Sequence, residues 1–137
     1  MRYMLDTNIC IYVIKKKPPQ VIRNFLQHDP DTMCISSITY SELVYGVVNS
    51  QAIEKNRAAV TLFLSPLTIL PFDQPAAEEY GKIRTDLEKN GTPIGPMDLL
   101  IAAHAKSEGL ILVTNNTREF FRVHDLKVED WAASQIQ

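Results

Sequence analysis

The chain has 137 residues, 45% of them hydrophobic, enough for one domain with a real core and too few for two. Its 14 Lys and Arg against 16 Asp and Glu leave a net charge of −2. That excludes a protein that grips nucleic acid by bulk positive charge, though not a local basic patch. The 5 Gly and 8 Pro exclude collagen-like and low-complexity classes, and the 2 cysteines, Cys10 and Cys34, are too few for a disulfide framework. A reduced setting follows, with both thiols in the core. No stretch reaches the roughly 18 apolar residues of a membrane span, and Asp6 comes too early for a signal peptide, so a cytoplasmic protein is expected.

Tyr3-Met4-Leu5 reads as a short buried strand ended by a helix-capping cluster, Asp6-Thr7-Asn8. A helix over Ile9–Ile14 closes on Lys15-Lys16-Lys17, cations that suit its C-terminus. Pro18-Pro19 starts a second helix that runs to about Gln27. Met33 to Thr39 is the second strand, followed by a helix in which Leu43, Val44, Val47 and Val48 recur at helical spacing. A helix over Ser50–Leu64, a strand over Leu67–Phe72 and a mixed-charge helix over Ala76–Asn90 come next. Then follow a rigid loop, a helix over Met97–Glu108 and the cleanest buried strand, Leu110–Thr114. A short helix over Glu119–Arg122 and an edge strand at Lys127-Val128-Glu129 end the pattern. Strands alternating with helices predict one three-layer α/β domain over residues 1–137, with a central parallel sheet covered on both faces.

Ligands of such sheets bind beyond the C-terminal strand ends. Asp6, Glu42, Asp98 and the Asn115-Asn116 pair all fall near those ends, so acids distant in sequence can converge there. Clustered carboxylates need a counter-charge, and oxygen-only donors select a hard divalent cation. Taken singly each acid has a plainer reading, as an N-cap (Asp6), a first-turn acid (Asp98) or a solvated acid (Glu42). His28, His104 and His124 lack metal-ligand spacing and read as structural or surface groups; His104 lies about 240° around the helix from Asp98.

Four segments resemble the motifs of PIN-domain proteins in order and spacing. They are Leu5-Asp6-Thr7-Asn8, Ile35 to Gly46 with Glu42, Gly95 to Ala105 with Asp98, and Val113 to Phe120. Each alone is weak, but together they span nearly the whole chain, which resembles the VapC toxins of VapBC toxin–antitoxin pairs. The resemblance implies a Mg²⁺- or Mn²⁺-dependent endoribonuclease acting on structured RNA, with tRNA, and initiator tRNA in its anticodon stem-loop, the expected substrate. It also implies a VapB-type antitoxin, a toxin homodimer, and operator DNA contacted only through the antitoxin complex. Asp6 and Asp98 carry over as metal ligands with Glu42 completing the set. The fourth motif often has Asp where this chain has Asn116, and Glu119 can supply the missing charge. Thr7, Asn8 and Thr114 are candidates for orienting these groups.

Lys15, Lys16, Lys17, Lys82, Arg84 and Lys89 are the candidates to offset repulsion between the acids and RNA. Hydrolysis by an activated water predicts 3′-hydroxyl and 5′-phosphate ends. A phosphatase is disfavoured because Asn8 stands where a second early Asp is wanted, and a receiver domain because Thr114-Asn115-Asn116 lacks the late Lys. A non-catalytic RNA- or protein-binding module is the remaining alternative, with Asn116 its one supporting feature.

Overall fold

The computed structural model describes residues 1–133. Among these residues five parallel strands form one sheet: β1 (Tyr3–Leu5), β2 (Met33–Ser36), β3 (Thr68–Leu70), β4 (Ile111–Val113) and β5 (Val128–Glu129). Their order is β3-β2-β1-β4-β5. The chain therefore builds outward from β1 on one side, then returns to add β4 and β5 on the other. The strand order reverses between β1 and β4, where Tyr3, Met4 and Leu5 pair with Ile111, Leu112 and Val113.

Among the described residues seven α-helices cover the sheet: α1 (Thr7–Lys15), α2 (Pro19–Leu26), α3 (Ser37–Val48), α4 (Ile53–Leu64), α5 (Gln74–Lys89), α6 (Pro96–Ser107) and α7 (Thr117–Phe120). Alternation along the strands divides the core into two layers. Met4, Cys34 and Leu112 pack with Ile83 and Leu87 of α5, Ile101, Ala102 and Ala105 of α6, and Phe120. Tyr3, Leu5, Met33, Ile35 and Val113 face Ile9 and Cys10 of α1, Val21, Leu43, and Phe63 and Leu64 of α4. The two free cysteines are buried on opposite faces of the sheet, so they cannot form a disulfide with each other. Burial pushes both thiols up, Cys34 to about 12, which suits inert core groups. Among the described residues no helix is long and apolar enough to cross a membrane.

The second strand ends earlier than its apolar run predicts. Ser36, not Thr39, is its last residue, because the Ser36 hydroxyl accepts from the Ile38 amide at 3.0 Å and starts α3 there. Thr39 is thereby buried inside the helix. Leu112 lies fully buried in β4, between β1 and β5. Leu112→Ala is expected to cost about 2–5 kcal/mol of stability, read from urea unfolding.

Candidate active site

β1 delivers Asp6 to the point where the strand order reverses. The Asp6 amide donates to the Val113 carbonyl at 2.9 Å, continuing the β1–β4 pairing. Its carboxylate caps α1, with Oδ1 accepting from the Ile9 amide at 2.9 Å. Asp6 is only 3% exposed, and burial pushes its pKa up to about 6 despite stabilising hydrogen bonds from Thr114, Ile9 and Asn8. Glu42 adds repulsion.

One residue along, the Thr7 hydroxyl donates to Glu42 Oε1 and lies 3.3 Å from the Thr39 hydroxyl. The first turn of α1 is thereby tied to α3. Asp98 comes from the first turn of α6. Its pKa is pushed up to about 7, first by burial, then by a hydrogen bond with Glu119 and by the charges of Glu119, Asp6 and Glu42. Asn116 donates its side-chain amide to Glu119 Oε2, and its backbone amide donates to Thr114 Oγ1 at 2.9 Å.

The structure thus brings Asp6, Glu42 and Glu119 each within electrostatic range of Asp98, and Asp6 within range of Glu42. The Asn116 side chain meets the group through Glu119, so Glu119 presents the charge of the fourth motif. None of the four acids forms an ion pair among the described residues, where the one ion pair is Arg84–Glu88. Also among the described residues, no three His, Cys, Asp or Glu side chains are drawn together closely enough to hold a metal ion. Glu42 and Glu119 are turned toward the neutral partners Thr7 and Asn116. The donor chemistry nevertheless fits a hard divalent cation: oxygen donors only, two of them with raised pKa, and no cationic side chain paired with them.

The basic residues divide. Lys15 lines a groove of about 370 Å³ together with Glu42, Ile14 and Val60. Lys82 lies in a separate cleft with Glu79 and Asp86, and Arg84 is engaged by Tyr80 and Glu88. Lys16, Lys17, Lys89 and Asn8 are exposed. The histidines are as expected. His28 stacks on Trp131 at 4.4 Å, His124 is exposed, and His104 is fully buried.

Sequence reasoning missed Thr39, whose neighbours in sequence looked like strand. It also missed the pairing of Asn115 with the Tyr12 hydroxyl at 2.8 Å, and that of His104 with Ser36 at 2.7 Å. The Ser36-Ser37 pair before an apolar helical run was the one available signal, as capping sequence.

The PIN domain family model matches residues 3–126. The tRNA(fMet)-specific endonuclease VapC of Shigella flexneri is 50% identical over 132 residues, covering 96% of this chain and 99% of that protein. The ribonuclease VapC2 of Haemophilus influenzae strain Rd is 51% identical, with 96% and 98% covered. Among solved structures, a DNA-bound VapBC complex from Salmonella typhimurium contains a chain that matches with a TM-score of 0.90 at 49% identity, covering 96% of this chain and 98% of that one. With motif order, sheet topology and these full-length likenesses in agreement, the chain belongs to the PIN-domain family, among its VapC ribonucleases.

Proposed function

We propose that this chain is the toxin of a toxin–antitoxin pair, a divalent-metal-dependent endoribonuclease that cuts initiator tRNA in its anticodon stem-loop and so blocks translation. The observation that carries the reading is the approach of Asp6, Glu42 and Glu119 to Asp98, none of them in an ion pair among the described residues, where the strand order reverses. The half-identical relative named for tRNA(fMet) cleavage supports the substrate.

Asp6, Asp98 and Glu42 would hold the ion, Mg²⁺ or Mn²⁺, with Glu119 adjoining. A cation bound there lowers the pKa of water and screens phosphate charge. The protein's own groups do the rest. The Ile9 amide and the Thr114 hydroxyl hold Asp6, and Thr7 holds Glu42. Asn116 steers Glu119 toward Asp98. Lys15, in the groove that Glu42 lines, is placed to meet RNA phosphates. RNA shape and a few loop contacts select the substrate. A VapB-type antitoxin partner, with operator DNA reached through that complex, is supported by relatives solved as DNA-bound VapBC assemblies; a homodimeric toxin is part of the same proposal.

The test is incubation of purified protein with initiator tRNA in Mg²⁺ or in EDTA, with the new ends mapped. Discrete anticodon-loop cuts with 5′-phosphate ends, absent in EDTA, are expected. Ends with 2′,3′-cyclic phosphate would refute hydrolysis by water. No cleavage of any RNA by folded, metal-loaded protein would favour the binding module.

A further inference from the structure

Beneath the acids lies a buried polar contact that the proposed mechanism does not use. His104 Nδ1 is 2.7 Å from the Ser36 hydroxyl, and both residues are fully buried. Ser36 ends β2 and caps α3, its oxygen already accepting from the Ile38 amide. His104 lies in α6, six residues after Asp98. Next to them the Ser37 hydroxyl accepts from the Phe72 amide at 2.9 Å, and the Phe72 ring stands edge-on to the imidazole at 5.5 Å. One node therefore joins β2, α3, the segment after β3 and α6.

The node is costly as pure packing. Whichever nitrogen carries the proton, His104 Nε2 is left with no partner among the described residues. Burial holds the imidazole neutral, its pKa below the ordinary range although Glu108 and Asp73 pull the other way. An apolar ring in the same fully buried place, against Phe72, would leave no ring nitrogen orphaned.

We propose that the Ser36–His104 hydrogen bond is a positioning strut that sets where Asp98 on α6 stands relative to Glu42 on α3. This rests on the reading of those acids as the metal-binding set. The rest of the buried face of α6 (Leu99, Ile101, Ala102, Ala103 and Ala105) is apolar, and such packing is non-directional, so it restrains a slide along the axis less sharply than a directed bond does. A hydrogen bond has a preferred direction and length, and resists that slide. Six residues of helix make an arm of about 9 Å from His104 to Asp98, stiff enough to carry a displacement to the carboxylate. A misplacement of about 1 Å is enough to impair a reacting site.

Two substitutions separate positioning from packing. His104→Phe keeps an aromatic ring, one ring atom larger, and loses the hydrogen bond. His104→Asn puts an amide where Nδ1 was and opens a cavity. Mn²⁺ affinity by titration calorimetry, kcat and KM on tRNA, and urea stability are measured for both, beside wild type and Asp6→Asn. His104→Phe is expected to weaken Mn²⁺ binding and lower kcat by about tenfold each, with KM within about twofold. His104→Asn is expected to be the less stable variant, yet to keep Mn²⁺ affinity and kcat within about threefold of wild type. Ser36→Ala, which also removes the α3 cap, should lose at least as much Mn²⁺ affinity as His104→Phe, and the double variant should be no worse than Ser36→Ala.

Wild-type Mn²⁺ affinity and kcat in His104→Phe would overturn the strut, as would an equal loss in His104→Asn. A wild type that binds Mn²⁺ through Asp6 but cuts no RNA would sink the nuclease reading alone, with the Mn²⁺ comparison still deciding the strut. A wild type that neither binds Mn²⁺ nor cuts would overturn both.

Discussion

Asp6→Asn is expected to lower RNA cleavage by more than about 100-fold, beyond the usual loss for an outer partner of a metal ligand, while stabilising the metal-free protein. The two effects have one cause. Asp6 is nearly inaccessible to water, and its pKa rises from an ordinary 3.8 to about 6. Between those values the folded chain holds a proton that the unfolded chain releases. Stability therefore falls as pH rises through that window, and above about pH 6 the full cost of a buried charge stands. A rise of this size corresponds to about 2–3 kcal/mol. Asn removes the charge and keeps an oxygen for the Ile9 amide, so the α1 cap survives. Urea unfolding in EDTA should show the gain at pH 7.5 and little of it at pH 4. A variant that still cuts RNA, or that is less stable than wild type at pH 7.5, contradicts this account.

The second large effect is that of the cation itself. Adding Mn²⁺ at about 100 times its dissociation constant should stabilise the wild-type fold by about 2.7 kcal/mol. For a chain of this size that is a rise of roughly 10 °C in Tm. The rise should shrink at pH 5. There Asp6, with a pKa of about 6, and Asp98, with one of about 7, hold protons that the ion must displace. The affinity falls as pH drops through both values, and binding near pH 7 releases protons into the buffer. Thermal unfolding in Mn²⁺ and in EDTA at pH 5 and pH 7.5 measures this. Equal shifts at both pH values would place the binding outside these acids. Asp6→Asn should abolish most of the shift at pH 7.5.

Much of this molecule is legible in its sequence because the signals are local. Tyr3-Met4-Leu5 followed by Asp6-Thr7-Asn8 is strand and cap on composition alone, and the structure ends β1 and starts α1 there. Leu110–Val113 is apolar without interruption because β4 is covered on both faces, and β1 and β5 flank it. Alternation of strands and helices determines the parallel sheet, since parallel neighbours need crossovers. Asp6, Glu42 and Asp98 stand out by their place after strands or in the opening turns of helices. The end of β2 is less legible. Ile38 and Thr39 suit a strand as well as a helix, and one hydroxyl, that of Ser36, decides between them.

Only the tertiary structure decides which groups touch. Period and propensity say where a side chain leaves its own helix, not what stands opposite. That is why Asn116 and Glu119, three residues apart, could both be named in advance, while their bond, which leaves the charge to Glu119, could not. It is also why the helical angle correctly turned His104 away from Asp98 yet said nothing of Ser36, 68 residues away in sequence. The raised pKa values of Asp6 and Asp98 belong to the same level, because burial and repulsion arise only when α1, α3, α6 and α7 close around the C-terminal ends of β1 and β4. The sequence by itself determined the elements, the fold class and the identity of the acids. The packing of helices against the sheet decided their distances, their protonation and the contacts that hold them.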